Sequence, residues 1–289
     1  MLPSSTSIGL VHLTVGELGR VLGFYRDTLG FAEAHRVGDR TVFLSATGSF
    51  PYHVGLTADP GARSNQRRSA GLYHTAILLP SRADLGRMLR HLLEVKWPIQ
   101  GASDHGVSEA IYFADPEGNG IEIYADRPRE RWTITRDGLV MPTKAMDVDA
   151  VLAEGSGSWD GLPSATKIGH IHLRVSDLSR VEAFYSGIIG FEVTARTYPG
   201  ALFFAAGGYH HHLGANIWAG TNLEQASPEV RGLRYFTIRL PDRAALAAAD
   251  ERIRRAELTL EAVDHGGAPA ILVRDPDGIT VVLTVDQGA

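Results

Sequence analysis

The chain repeats itself, and the repeat limits what it can fold into. Ile168 to Val175 (I-G-H-I-H-L-R-V) parallels Ile8 to Val15 (I-G-L-V-H-L-T-V), Phe184-Tyr185 parallels Phe24-Tyr25, and Gly190-Phe191 parallels Gly30-Phe31. Asp275-Pro276-Asp277-Gly278 likewise parallels Asp115-Pro116-Glu117-Gly118, each pair 160 positions apart (172 − 12, 275 − 115). A constant offset across most of both halves is the mark of an internal duplication. Whatever order of elements the first half adopts, the second adopts again.

Within the first half the order is itself repeated. Ile8 to Val15 alternates as a strand, with Val11, Leu13 and Val15 on one face and His12 on the other. Glu17 to Leu29 has the apolar spacing of an amphipathic helix stopped by Gly30. Three short strands follow at Phe31 to Val37, Thr41 to Ala46 and Tyr52 to Thr57, giving βαβββ. The pattern restarts with a strand from Leu72 to Leu79 carrying His74, a helix from Arg82 to Val95, and strands ending at Ile121 to Tyr124. The expectation is an α+β fold of four βαβββ modules paired into two domains. Modules one and two would form residues 1–130, and modules three and four residues 167–289. Residues 131–166 are expected to be a linker of Arg, Pro, Gly and Ser with one helical stretch near Asp147 to Ala153. Ala58 to Ser69, with Arg63, Arg67 and Arg68, reads as a solvated loop, with cover for a pocket mouth as the alternative.

Composition removes several function classes. The 289 residues carry 28 basic and 33 acidic side chains, a formal charge of −5, so there is no basic footprint for nucleic acid. There are no cysteines, which excludes thiolate metal sites and cysteine nucleophiles. No apolar run approaches the ~18 residues of a membrane span, and a cytoplasmic protein is expected. No phosphate loop, nucleophile elbow or dinucleotide fingerprint occurs in a suitable context.

One constellation carries chemistry. Ser108 to Tyr124 reads as two strands joined by the turn-rich Asp115-Pro116-Glu117-Gly118-Asn119, and Glu122 lies between Ile121 and Ile123, on the opposite strand face. A lone strand histidine is usually a hydrogen-bonded core residue and a lone carboxylate is usually solvated. His12, His74 and Glu122, however, fall at linked places in one half, and in the other half the matching residues are His172, Tyr235 and Val282. Two imidazoles and a carboxylate leave about half an octahedron open, the set suited to non-haem Fe(II) and also able to hold Mn, Ni, Co or Zn. Gly208-Tyr209-His210-His211-His212 reads as a hydrogen-bonded or pocket-lining stretch rather than, with His172, a second metal site.

H-L-T-V before F-Y-x-x-x-L-G-F, with a D-P-E-G-N-G-I-E-I-Y ending, resembles the vicinal oxygen chelate superfamily of glyoxalases, bleomycin and fosfomycin resistance proteins and extradiol dioxygenases. The two-domain chain is similar to its catechol 2,3-dioxygenase-like members. The resemblance implies His12, His74 and Glu122 as metal ligands, with Tyr112, ten residues before Glu122, and His105 beside a bound diol. It implies an Fe(II)-dependent, ring-cleaving dioxygenase with a small aromatic substrate and O2 as reactants. In well-known two-domain relatives the metal lies in the C-terminal domain, whereas here the intact set falls in the N-terminal half. Asp104-His105-Gly106 also recurs as Asp264-His265-Gly266, the signature of a shared turn. The alternatives are another metal-dependent reaction of the superfamily, a glyoxalase-like isomerase, lyase or thiol transferase, or a small-molecule-sequestering protein. Sheet edges and the arginine-bearing loop offer surfaces for a homodimer.

Overall fold

The β-α-β-β-β order recurs along the chain in a computed structural model that describes residues 1–64, 69–136 and 138–285. The first run is β1 (Ser7–Val15), α1 (Leu18–Gly23), β2 (Ala32–Val37), β3 (Thr41–Ser45) and β4 (Val54–Ala58). The second is β5 (Gly71–Leu78), α2 (Arg82–Glu94), β6 (Ile99–Asp104), β7 (Ser108–Ala114) and β8 (Gly120–Asp126). Between the halves lie β9 (Ile134–Thr135), β10 (Gly138–Leu139), β11 (Lys144–Ala145) and α3 (Val148–Glu154). The third run is β12 (Lys167–Arg174), α4 (Leu178–Glu182), β13 (Glu192–Ala195), β14 (Ala201–Ala205) and β15 (Leu213–Asn216). The last is β16 (Gly232–Leu240), α5 (Arg243–Arg255), β17 (Leu260–His265), β18 (Ala268–Arg274) and β19 (Thr280–Val285). Arg67 and Arg68 lie outside the described residues. No helix among the described residues is long and apolar enough to cross a membrane.

The strands form two sheets, and each draws on both halves of the chain. The first sheet has the order β17-β18-β19-β16-β1-β4-β3-β2, the second β11-β6-β7-β8-β5-β12-β15-β14-β13-β10-β9. The seams are antiparallel: β1 pairs with β16, and β5 with β12. The expected pairing of the first run with the second inside 1–130, and of the third with the fourth inside 167–289, is therefore corrected. First pairs with last, and the two middle runs pair with each other. One contiguous apolar core includes residues from both sheets, among them Leu13, Ile77, Leu173 and Ile238.

Runs within a half are joined through turns instead. Glu117, in the Asp-Pro-Glu-Gly turn of the second run, accepts hydrogen bonds from the amides of Gly16 (2.9 Å) and Glu17 (2.8 Å) in the first. Its counterpart Asp277 accepts from the Ser176 amide at 3.1 Å, and Asp275 from the Tyr185 hydroxyl at 3.0 Å. These turns serve as tethers between the sheets as well as strand connections.

Two local expectations are refined. The helix expected over Glu17 to Leu29 is α for Leu18–Gly23 and then π-helical for Phe24–Thr28; α4 continues as a π-helix over Ala183–Ile189. The wider turn leaves both of two consecutive aromatics, Phe24 and Tyr25, in the core. The expected linker is structured: β10 extends one edge of the second sheet through β13, and β11 extends the other edge through β6. Leu139 and Lys144 are five residues apart, a reach of at most about 18 Å. The two edges of this sheet must therefore curl towards each other, with residues 140–143 strapped across the opening.

Candidate metal centre

The curl of the second sheet encloses a cavity of about 210 Å³ whose lining includes His74, Glu122, His170, His172, His105 and Tyr112. Strand register explains the convergence. Ala76 on β5 is paired with Glu122 on β8 at one side and with His170 on β12 at the other, while His74, two residues earlier on the same face, is paired with His172. The small side chain of Ala76 leaves room for its longer neighbours to meet. Donor atoms of His74, Glu122 and His170 all lie within 4.8 Å of one another, and all three residues are buried. Glu122 Oε2 is 3.0 Å from His74 Nε2 and 3.3 Å from His170 Nε2.

The donor chemistry fits a divalent cation. His74 Nε2 has no hydrogen-bond partner, its approach to Glu122 being off the line such a bond requires. Burial alone would raise the Glu122 pKa, but the charge and hydrogen bond of His170, with the charge of His74, hold it well below the usual carboxylate range. Burial depresses His170 to about 4 despite the nearby Glu122. One carboxylate with neutral imidazole is the protonation state in which such side chains bind metals. His74, Glu122 and His170 are thus the residues able to chelate a divalent ion.

His12 is not among them. It lies on β1 in the first sheet, paired in register with Tyr235, with its Nε2 2.7 Å from Thr57 Oγ1 and its ring packed edge-on to Phe43. Burial, with the charges of Arg234 and His265, lowers its pKa to about 3. The ligand role expected of His12 passes to His170, and the cross-half pairing is the reason: β5 finds its neighbour in β12, not in β1. The sequence held one signal for this. His12 recurs as His172 in the half that lost the other two residues, whereas His170 stands opposite Leu10.

His105 and Tyr112 do meet at the cavity. The β7–β8 pairing sets Tyr112 opposite Glu122, and the turn between β6 and β7 brings His105 Nε2 to 2.7 Å from the Tyr112 hydroxyl. His105 Nδ1 lies 2.8 Å from the Pro142 carbonyl, which can only accept, so Nδ1 donates and, in the neutral ring, Nε2 accepts from Tyr112. The shared-turn reading also holds, since Gly106 and Gly266 both have positive φ (74° and 65°). Pro142 belongs to the strap, as do Met141 and Thr143 in the cavity lining, so the linker contributes to the site.

The triple-histidine stretch adjoins the same cavity rather than forming a second metal cluster among the described residues. Asp126 Oδ1 accepts from His210 Nε2 at 2.9 Å, and His210 Nδ1 is 2.8 Å from His211 Nδ1. With the His210 proton committed to Asp126, the shared proton belongs to His211 Nδ1, and His211 Nε2 is left bare. The His211 ring lies 4.0 Å from that of His170, and burial keeps its pKa well below the ordinary value. His211 and its Asp126–His210 support are residues that spacing alone did not assign.

Comparison with known proteins gives the chain its family. The chain is 44% identical over 276 residues to a catechol-2,3-dioxygenase of Bacillus subtilis (strain 168), covering 94% of each chain. It is 32% identical over 121 residues to a biphenyl-2,3-diol 1,2-dioxygenase 3 of Rhodococcus globerulus, 39% of this chain and 60% of that one. Glyoxalase I from Zea mays shares the fold at a TM-score of 0.58 and 17% identity, over 97% of this chain and 92% of that one. Residues 7–123 and 167–283 both match one family, so the chain belongs to the Glyoxalase/Bleomycin resistance protein/Dioxygenase superfamily.

Proposed function

We propose that the protein is an extradiol ring-cleaving dioxygenase that uses Fe(II), or in its place Mn, Ni, Co or Zn where the chemistry allows, on a catechol-like aromatic diol. The four βαβββ runs are then two vicinal oxygen chelate domains, one per sheet, with the working site built from residues 71–126, 141–143 and 167–218. The observation that carries the reading is the buried His74, Glu122 and His170 group opening on a cavity with two further proton-handling side chains. The near-full-length likeness to a catechol-2,3-dioxygenase supports the same reaction class.

Fe(II), when bound, supplies the redox chemistry that joins a diol to O2. The chain's residues supply position and proton transfer. His211, with Nε2 bare, accepts a diol proton, and the His210–Asp126 pair holds it in that tautomer. Tyr112 stays protonated, since burial and the charge of Glu122 raise its pKa well above the ordinary value; its proton goes to His105 Nε2, and its oxygen accepts from a substrate hydroxyl. Phe203, Tyr198 and Trp218 form an apolar wall that orients the ring and limits water. In the overall reaction both atoms of O2 enter the product and the ring carbon–carbon bond beside the diol breaks, giving a ring-opened semialdehyde acid.

The test is oxygen uptake by protein reconstituted anaerobically with Fe(II), presented with a panel of catechols while absorbance is recorded. Oxygen consumption with a ring-cleavage chromophore, absent in His170→Ala, is the expected result. Metal binding without oxygen consumption on any diol overturns ring cleavage in favour of isomerase or transferase chemistry.

A further inference from the structure

A second cavity of about 570 Å³ adjoins the metal cavity, and Tyr73, His74, Tyr112 and Trp218 line both. Its far wall holds Arg174 and Asn216, paired in register at the ends of the parallel strands β12 and β15. Arg174 lies on the same strand face as His170 and His172, its Cα about 13 Å along the strand from that of the metal ligand. Among the described residues lining this cavity Arg174 carries the only fixed charge. Asn216 is fully buried, its Oδ1 accepts from the Trp218 amide at 3.2 Å, and its Nδ2 has no hydrogen-bond partner. A buried amide donor beside a guanidinium matches a ligand that brings acceptor oxygens and negative charge.

The duplication provides a comparison. In the first sheet the positions corresponding to Arg174 and Asn216 are Thr14 and Thr57, also paired in register, and Thr57 satisfies His12 Nε2. In the second sheet, His172 Nε2 has no hydrogen-bond partner. The cationic and amide groups therefore accompany the metal-binding set and are absent where that set is absent.

We infer that this second cavity is a carboxylate subsite, and that the substrate is an aromatic diol bearing a carboxylate on a short side chain. The diol end lies at His74, Glu122 and His170; the carboxylate end is held by Arg174 and Asn216. The inference rests on the ring-cleavage reading for the diol end alone.

The test compares 3-(3,4-dihydroxyphenyl)propionate with 4-propylcatechol, which lacks the carboxylate. Binding is measured by calorimetry without oxygen on Zn(II)-loaded protein, and oxygen uptake is measured separately on Fe(II)-loaded protein. The carboxylated diol is expected to bind at least about tenfold more tightly, by a margin that shrinks as salt is raised. Arg174→Gln should remove most of that preference and Arg174→Lys retain part of it. Equal affinity for the two diols, or a preference unchanged in Arg174→Gln, overturns the subsite whatever oxygen does. A carboxylate preference without oxygen consumption keeps the subsite and overturns ring cleavage. Should Arg174→Gln fail to fold, the wild-type affinity ratio and its salt dependence decide.

Discussion

The two sheets share an element order and a histidine that rests on a glycine of the adjacent parallel strand, yet among the described residues only one of them gathers a metal-binding set. A Cβ on Gly55 would come within 2.9 Å of the His12 ring, and one on Gly214 within 3.0 Å of the His172 ring. Beyond that shared feature the sheets part. In the second, Glu122, Ala76 and His170 are in register; in the first, Val282 is paired with Thr237, and the Thr237 hydroxyl accepts from the Leu10 amide at 2.7 Å. The polar group of the first sheet is consumed by its own backbone, whereas those of the second face one another across a cavity. What both sheets retain serves the fold, and what only one retains serves the site.

The harshest way to break this comparison is to put the carboxylate where it has no partners. Val282→Glu should destabilise the protein by about 3–5 kcal/mol, the scale for an uncompensated buried charge, measured by urea unfolding. Added Zn(II) should not restore that loss. Rescue by metal would mean that the first sheet retains a cryptic site.

The next test separates the two histidines that sequence comparison confuses. His170→Ala should weaken Zn(II) or Fe(II) binding by at least about a hundredfold, more than loss of an outer hydrogen-bond partner alone, while His12→Ala leaves it within about twofold. Competition against a chromophoric chelator reads both. The reverse ranking would return His12 to the ligand role and contradict the strand pairing.

That confusion marks where the sequence stops being readable. Duplication, element order, and the convergence of His74, Glu122 and Tyr112 on one cavity were all legible, because a strand period of two and a fixed offset are local signals. The choice between His12 and His170 was not, because it depends on which first strand lies beside β5. That is decided by hydrogen bonds between distant segments, which leave no periodicity behind. Residues 138–145 hid for a related reason: two-residue strands have no measurable alternation, so an edge-bridging strap looks like a linker. His211 was hidden because its tautomer depends on Asp126, 85 positions earlier in the chain (211 − 126).

A pH experiment sharpens the comparison at the tethers. Asp275 is raised to about 7, chiefly by burial and further by the charge of Asp277; Asp115 is raised too, but the Asn119 side chain donates to it at 2.8 Å, where the other turn has Ile279. A carboxyl whose folded pKa exceeds its unfolded value of about 3.9 keeps its proton longer in the folded state. Its contribution is therefore fully present below pH 4 and is lost as pH rises to 7. Asp275→Asn retains an oxygen for the amides of Asp277 and Ile279 and removes this slope. Subtracting the two stability profiles between pH 4 and 7 should leave a difference on the order of 2–4 kcal/mol. A flat difference would show that Asp275 ionises normally.

The smallest expected effect lies inside the site, where Tyr112 faces Glu122 and its counterpart Leu272 faces Val282. Tyr112→Phe keeps the ring that fills the wall and removes the hydroxyl that donates to His105 Nε2. If the tyrosine handles a proton or holds a substrate oxygen as the reaction proceeds, kcat in the oxygen-uptake assay should fall about ten- to hundredfold, at or below the lower end for general acid–base groups. KM, metal affinity and thermal midpoint should change little. Leu272→Phe in the first sheet is the matched control, an apolar wall change with no hydroxyl lost, and should leave kcat unaltered. A fall in metal affinity or thermal midpoint that matches the fall in kcat would reduce Tyr112 to packing, as Leu272 is in the first sheet. A kcat-only loss would place it among the groups that separate a working cavity from a copied fold.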